Sequence, residues 1–287
     1  MKNISILFLI LIATGAFGQS KSYDYAYMNK KGICVYSIAD KKEYLIVSKG
    51  ENPCISPDGK KLAYTALDQN GGRFIAVIDL NTKKKTILNT NSNNCYGPVW
   101  SPNGNYIAYN VFDSQKSNWL IAVIDAGNTE PVVLTRQLEQ SYMPTWTYDN
   151  KNVVVQNMEK VFVFDLSGNL VKDYKVSDMT KDLGPTSSDR FIFTKDNKKI
   201  VFSSSVDEPG GKDGPPSAVF IYDIDSNSTL RLSPKGYWSD DVIIKDNKVL
   251  FTASKMTSVI QNVYVVDTDG KNFKILFPNC YDLTAKN

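Results

Sequence analysis

The sequence predicts an all-β fold, a six-bladed β-propeller closed by pairing of its C-terminal strand with its N-terminal blade. Three observations predict it. First, a nine-residue phrase recurs. Ser56-Pro57-Asp58-Gly59-Lys60-Lys61-Leu62-Ala63-Tyr64 returns as Ser101-Pro102-Asn103-Gly104-Asn105-Tyr106-Ile107-Ala108-Tyr109, with looser copies beginning at Thr147, Thr194 and Lys245. The anchors Asp58, Asn103, Asp149, Asp196 and Asp246 lie 45, 46, 47 and 50 residues apart, and a strand-rich repeat of that length reads as a propeller blade. Second, each turn is followed by a near-continuous apolar run ending in Asp, as in Phe74-Ile75-Ala76-Val77-Ile78-Asp79. Such a run fits a strand buried on both faces. Third, the two chain ends carry complementary parts of one further blade.

Taken in order, residues 1–18 hold Lys2, an apolar stretch from Ile4 to Ala13, and a small-x-small end at Ala16 and Gly18. This reads as a secretory signal peptide cleaved near Gly18/Gln19; the stretch is too short to span a bilayer. Residues 19–287 are then read as one propeller domain, periplasmic or secreted. Tyr25-Ala26-Tyr27, Gly32–Tyr36 and Tyr44–Val47 match the last three strands of a blade that lacks its first. Asn279-Cys280-Tyr281 repeats Asn94-Cys95-Tyr96, which precedes an inner strand, so Tyr281–Ala285 is expected to supply the missing one. Closure removes the free sheet edges of an open array.

The repeated phrase is a hairpin signal, because glycine supplies the positive φ of a tight turn and Pro57 and Pro102 preset its entry. Asn150, Asn197 and Asn247 stand where the first two copies have Gly. Asn tolerates the same left-handed geometry, so these hairpins are expected to survive. Asp79, Asp125, Asp165, Asp223 and Asp267 close the apolar strands and are expected to bond turn amides rather than to do chemistry.

The phrase, with its later Ile-x-Val-x-Asp strand, resembles the WD40-like repeat of TolB-type β-propellers over nearly all of the chain beyond residue 18. The resemblance implies a non-catalytic module that binds a protein or peptide at the cell envelope. It departs from the pattern in the later repeats, which lack the Ser-Pro pair.

Composition narrows the chemistry. The chain has no His, which removes Ser-His-Asp and Cys-His activation and the usual zinc sites. No Gly-x-Ser-x-Gly elbow appears, and Arg73, Arg136, Arg190 and Arg231 are the only arginines, too few for a sialidase-like site. No catalytic residue, cofactor or metal site is expected. The net charge of +3 falls to +2 without residues 1–18, which argues for no nucleic-acid partner; a monomer is expected. No obligatory disulfide is expected: Cys95 and Cys280 sit two blades apart, too far to bridge, and Cys34 and Cys54, in strands of adjacent blades, are expected to be buried thiols.

A ligand is expected at the face carrying the loops that enter the inner strands. Tyr96, Tyr142, Tyr237, Trp238 and Tyr281 stand there, with Asp240 and Asp241 beside them. Two readings are open: a channel-mouth binding surface, since aromatic rings offer flat apolar area with polar tips, or packing between blades. The rival partner is a glycan, bound or processed with Asp240 or Asp241. Adjacent residues of a strand point to opposite faces, however, which weighs against a carboxylate pair there. The long loop 203–217 offers Asp207, Glu208 and Asp213 without a calcium-loop spacing.

Overall fold

The computed structural model describes residues 20–210 and 214–286; the expected signal peptide and its cleavage point, and Asp213 of the long loop, lie outside them. Six four-stranded antiparallel sheets are arranged as blades around one axis. Blade 1 has the order Tyr281–Ala285, Tyr25–Asn29, Gly32–Ser37, Lys42–Val47. The C-terminal strand pairs with the N-terminal one through Tyr25–Ala285 and Ala26–Thr284. The other inner strands are Glu51–Ile55, Cys95–Trp100, Tyr142–Trp146, Phe191–Phe193 and Tyr237–Lys245, in blades 2 to 6. The one helix among the described residues is a single turn, Val176–Met179, between blades 4 and 5. None is long and apolar enough to cross a membrane.

The repeated phrase has a self-contained hydrogen-bond logic. Ser56 Oγ donates to Asp58 Oδ1 at 2.6 Å and accepts the Lys61 N–H at 2.8 Å. Ser101 does the same with Asn103 (2.8 Å) and Tyr106 (2.9 Å). Thr147 and Thr194 keep the hydroxyl, reaching Asp149 at 2.7 Å and Asp196 at 2.6 Å. The turn position is left-handed in all five copies: φ is 68° at Gly59, 74° at Gly104, 65° at Asn150, 56° at Asn197 and 58° at Asn247. Of the strand-closing aspartates, Asp79, Asp125, Asp165 and Asp223 accept turn amide protons. Asp267 instead receives the Lys248 ammonium and the Asn272 amide.

Neighbouring blades are packed face to face by apolar clusters that each draw on adjacent blades, such as Ala108, Ile121, Trp146, Val153 and Phe164 between blades 3 and 4. Polar side chains add directional links. Trp100 Nε1 donates to Cys54 O of the preceding blade at 3.1 Å, and Trp146 Nε1 to Val99 O at 3.0 Å. Thr65 Oγ1 accepts the Gly97 N–H and Asn110 Oδ1 the Met143 N–H of the following blade, both at 3.0 Å. These bonds satisfy backbone groups that the inner strands cannot pair within their own sheet. The four cysteines are buried free thiols.

Candidate functional site

The inner strands are not regular. Each of five carries a β-bulge with a left-handed residue at one equivalent position: Asn52, Gly97, Met143, Asp241 and Asp282, with φ between 47° and 64°. In blade 5 the equivalent residue is Arg190. A bulge inserts one residue and re-aims the side chains that follow it. It divides the channel into two levels, an entry side and a side that leads to the repeated turns.

On the entry side the bulge gathers carboxyls. Alternation along a strand predicts that Asp240 and Asp241 diverge. The left-handed Asp241, with φ 50°, interrupts that alternation, and both acids join Asp189 and Asp282 in one layer. Burial lifts the Asp240 carboxyl well above its ordinary value, and the charges of Asp241, Asp189 and Asp282 lift it further. Burial and the Asp241 charge raise Asp282 to about 7, opposed by Arg190 and by hydrogen bonds from Asn52. Asp241 and Asp189 are also raised by burial; Arg190 opposes the rise at Asp241, and hydrogen bonds from Ser203 and Thr186 oppose it at Asp189. Asp240 and Asp241 lie deep in the ring yet border axial space, so they retain some accessible surface. Among the described residues no group of three or more Asp, Glu or Cys side chains is disposed to hold a metal ion.

The aromatic residues of this face differ from one another. Tyr142 is buried at 6% exposure. Tyr237 packs edge-on against Tyr264 and Phe273, with centroids 5.7 and 5.8 Å away. Tyr96 meets Trp119 edge-on at 4.9 Å, with the Arg73 guanidinium 4.7 Å above its ring. Trp238 and Tyr281 are half-buried. The structure thus sets the seven sequence-derived residues on the entry side and unites Asp240 with Asp241. Within the long loop, Glu208 is held by Arg231 and Lys235.

A cavity of about 420 Å³ occupies the other level and opens on the face of the repeated turns. One residue from each inner strand walls it at the same height: Cys54, Val99, Thr145, Ile192, Ile243 and Thr284. Pro57, Pro102, Tyr148 and Lys195 stand at its mouth, with Lys245 and Lys286 nearby, and Arg190 is the sole bulge-position residue that reaches it. None of the seven sequence-derived residues lines it. Sequence reasoning missed this cavity. The available signal was the alignment of Ser188-Asp189-Arg190 with Cys95-Tyr96-Gly97, which places a guanidinium where the other blades have small, apolar or acidic residues.

No family model matches the chain. It is 35% identical over 95 residues to the Tol-Pal system protein TolB of Hydrogenovibrio crunogenus, a stretch that is 33% of this chain and 21% of that protein. The match therefore spans about a fifth of the curated relative's length. Among solved structures, the putative TolB from Agrobacterium tumefaciens superposes with a TM-score of 0.64 at 19% identity, covering 90% of each chain. TolB from Acinetobacter baumannii gives a TM-score of 0.68 at 17% identity, covering 92% of this chain and 66% of its own. Peptidases that carry such a propeller beside further sequence also share the fold, and this chain spans less than half of each. In fold the chain is a TolB-type six-bladed β-propeller.

Proposed function

We propose that this propeller is an exported, non-catalytic binding module that takes a protein or peptide segment at the cell envelope. The observation that carries the reading is the axial cavity on the turn face, walled by all six inner strands and rimmed by exposed side chains. Its volume lies within the range of ligand-binding pockets, and its mix of apolar walls with a few polar groups is typical of them. The ring provides a rigid frame on which short turns present the rim. The likeness to TolB proteins supports the envelope as the setting.

Site-specific photocrosslinking tests the reading. A benzoyl-phenylalanine at Ile192 probes the cavity and one at Trp238 probes the opposite face. Illumination in the native envelope is expected to give a defined polypeptide adduct from position 192. Adducts from position 238 alone would move the site to the entry face, and absence of any polypeptide adduct from both positions would defeat the reading.

A further inference from the structure

We propose that the cavity receives the C-terminal end of an extended peptide, carboxylate first, and that Arg190 is the group that recognises the carboxylate. The inference rests on the reading of the cavity as a peptide site and adds its polarity and its anchor.

Arg190 is unusually placed for an arginine inside a protein. Its Nε is buried and has no hydrogen-bond partner. Among the described residues no carboxylate lies within ion-pair distance of its guanidinium, although Asp241 and Asp282 feel its charge. A buried, unsatisfied donor on a charged group is costly, and such groups are normally paired. Arg190 lines the cavity, so a ligand that brings two carboxylate oxygens to its guanidinium meets a fork of matching geometry.

The walls say what precedes the carboxylate. Val99, Ile192 and Ile243 offer apolar surface. Thr145 and Thr284 belong to blades 4 and 1, three blades apart and therefore on opposite sides of the ring. The Thr145 hydroxyl donates to Phe191 O at 2.5 Å, which leaves its lone pairs free to accept. The Thr284 hydroxyl accepts the Ile55 N–H at 3.1 Å, which leaves its proton free to donate. Threonines on two walls, one hydroxyl with lone pairs left to accept and one with a proton left to donate, suit a peptide backbone, which presents both an N–H and a C=O. A simple apolar acid has no use for that pair. The cavity lies on the axis and is reached from the turn face, so a chain end enters it without doubling back.

Burial raises all four carboxyls of the entry-side layer, Asp282 to about 7, which weakens their charge against Arg190 as pH falls below that value.

Two pools of N-acetylated pentapeptides, randomised over Ala, Val, Leu, Phe, Thr and Gly, test the inference. One pool ends in a free carboxylate and the other in a carboxamide. Each is equilibrated with the full chain at pH 6, bound peptides are counted by mass spectrometry, and decanoate is titrated in parallel. The carboxylate pool is expected to be retained about tenfold or more over the carboxamide pool, as a charge-assisted fork requires. The preference is expected to vanish in Arg190→Gln and to return in part in Arg190→Lys. If Arg190→Gln does not fold, Ile192→Trp fills the cavity while leaving Arg190 in place, and it must abolish retention. Equal retention of the two pools overturns the carboxylate inference but keeps peptide binding; retention of neither overturns both. A preference that survives in folded Arg190→Gln overturns the role of Arg190. Decanoate that binds as tightly as the best peptides overturns the peptide as source.

Discussion

Asp282→Asn isolates the carboxyl layer with little other disturbance. Asp282 is buried, with φ at 53°, a conformation that Asn adopts readily. The chain already places Asn52 at the equivalent position of blade 2, with φ 48°. The amide keeps one oxygen to accept from Asn52 and removes only the charge. The folded-state pKa of Asp282 stands at about 7 against an ordinary 3.8, a rise of roughly three pH units at about 1.4 kcal/mol each, or about 4 kcal/mol. The sign follows from the direction of the rise. Between about pH 4 and 7 the folded chain holds a proton that the unfolded chain has released. The stabilisation is therefore complete below the ordinary value and is lost as pH rises through about 7. Asn, which mimics the protonated form, is expected to leave stability nearly unchanged at pH 4. At pH 8 it is expected to raise it by about 2–4 kcal/mol, the lower figure allowing for proton sharing with Asp240 and Asp241. Urea unfolding of both proteins at the two pH values measures this. Equal differences at pH 4 and pH 8, or a variant that is less stable than the parent at pH 8, would refute the account of the layer.

Three further outcomes are expected. Removing residues 281–287 takes away the inner strand of blade 1 and should lower the melting temperature sharply or cause aggregation, read by calorimetry and light scattering; a truncated chain that melts like the parent would count against closure by that strand. Tyr142→Ala should cost about 3 kcal/mol of stability because the ring is buried, whereas half-buried Trp238→Ala should cost less than half as much; the reverse order in urea melts would show that Trp238 is the packing residue. Retention of the carboxylate peptide pool should fall from pH 6 to pH 8, because Asp282 ionises beside Arg190 and competes with the ligand. Asp241, Asp282, the Tyr96 hydroxyl and the Cys54 thiol feel that guanidinium, and Asp189 and Asp240 interact with the same acids; the pH dependence should flatten in Asp282→Asn, and an unchanged profile there would assign the effect elsewhere.

The ring was readable from the sequence because its elements are local. Four hairpins are specified within nine residues by a hydroxyl, an Asp or Asn and a left-handed turn residue, the one at Lys245 lacks the hydroxyl, and Asn serves at the turn as well as Gly. The closing strand was readable because Asn279-Cys280-Tyr281 echoes Asn94-Cys95-Tyr96. What escaped was orientation. A strand's alternation holds only until a bulge, and the residues that form bulges here, from Gly97 to Met143 to Asp282, share no side-chain chemistry. Asp240 and Asp241 were therefore expected on opposite faces and meet on one level. Arg190 escaped because its surroundings come from other blades: Asp241 and Asp282 lie far along the chain and approach it only when the ring is closed. The short helix at Val176–Met179 is too brief to leave a periodic signal.

The split blade also dictates an order of assembly. Blades 2 to 6 are each built from contiguous sequence and can pair their strands as soon as they are made. Blade 1 alone joins residues separated by the whole domain, as in Tyr25 with Ala285. Its formation requires the largest loop closure of the six blades, an entropic cost that the contiguous blades do not bear. Until blade 1 forms, the partly folded chain is an open arc with a bare sheet edge at Tyr25–Asn29. A product that stops short of Tyr281 keeps that edge permanently, and bare edges are what aggregation and proteolysis act upon. Placing the last strand beside the first thus makes survival of the folded ring conditional on synthesis having reached its final strand.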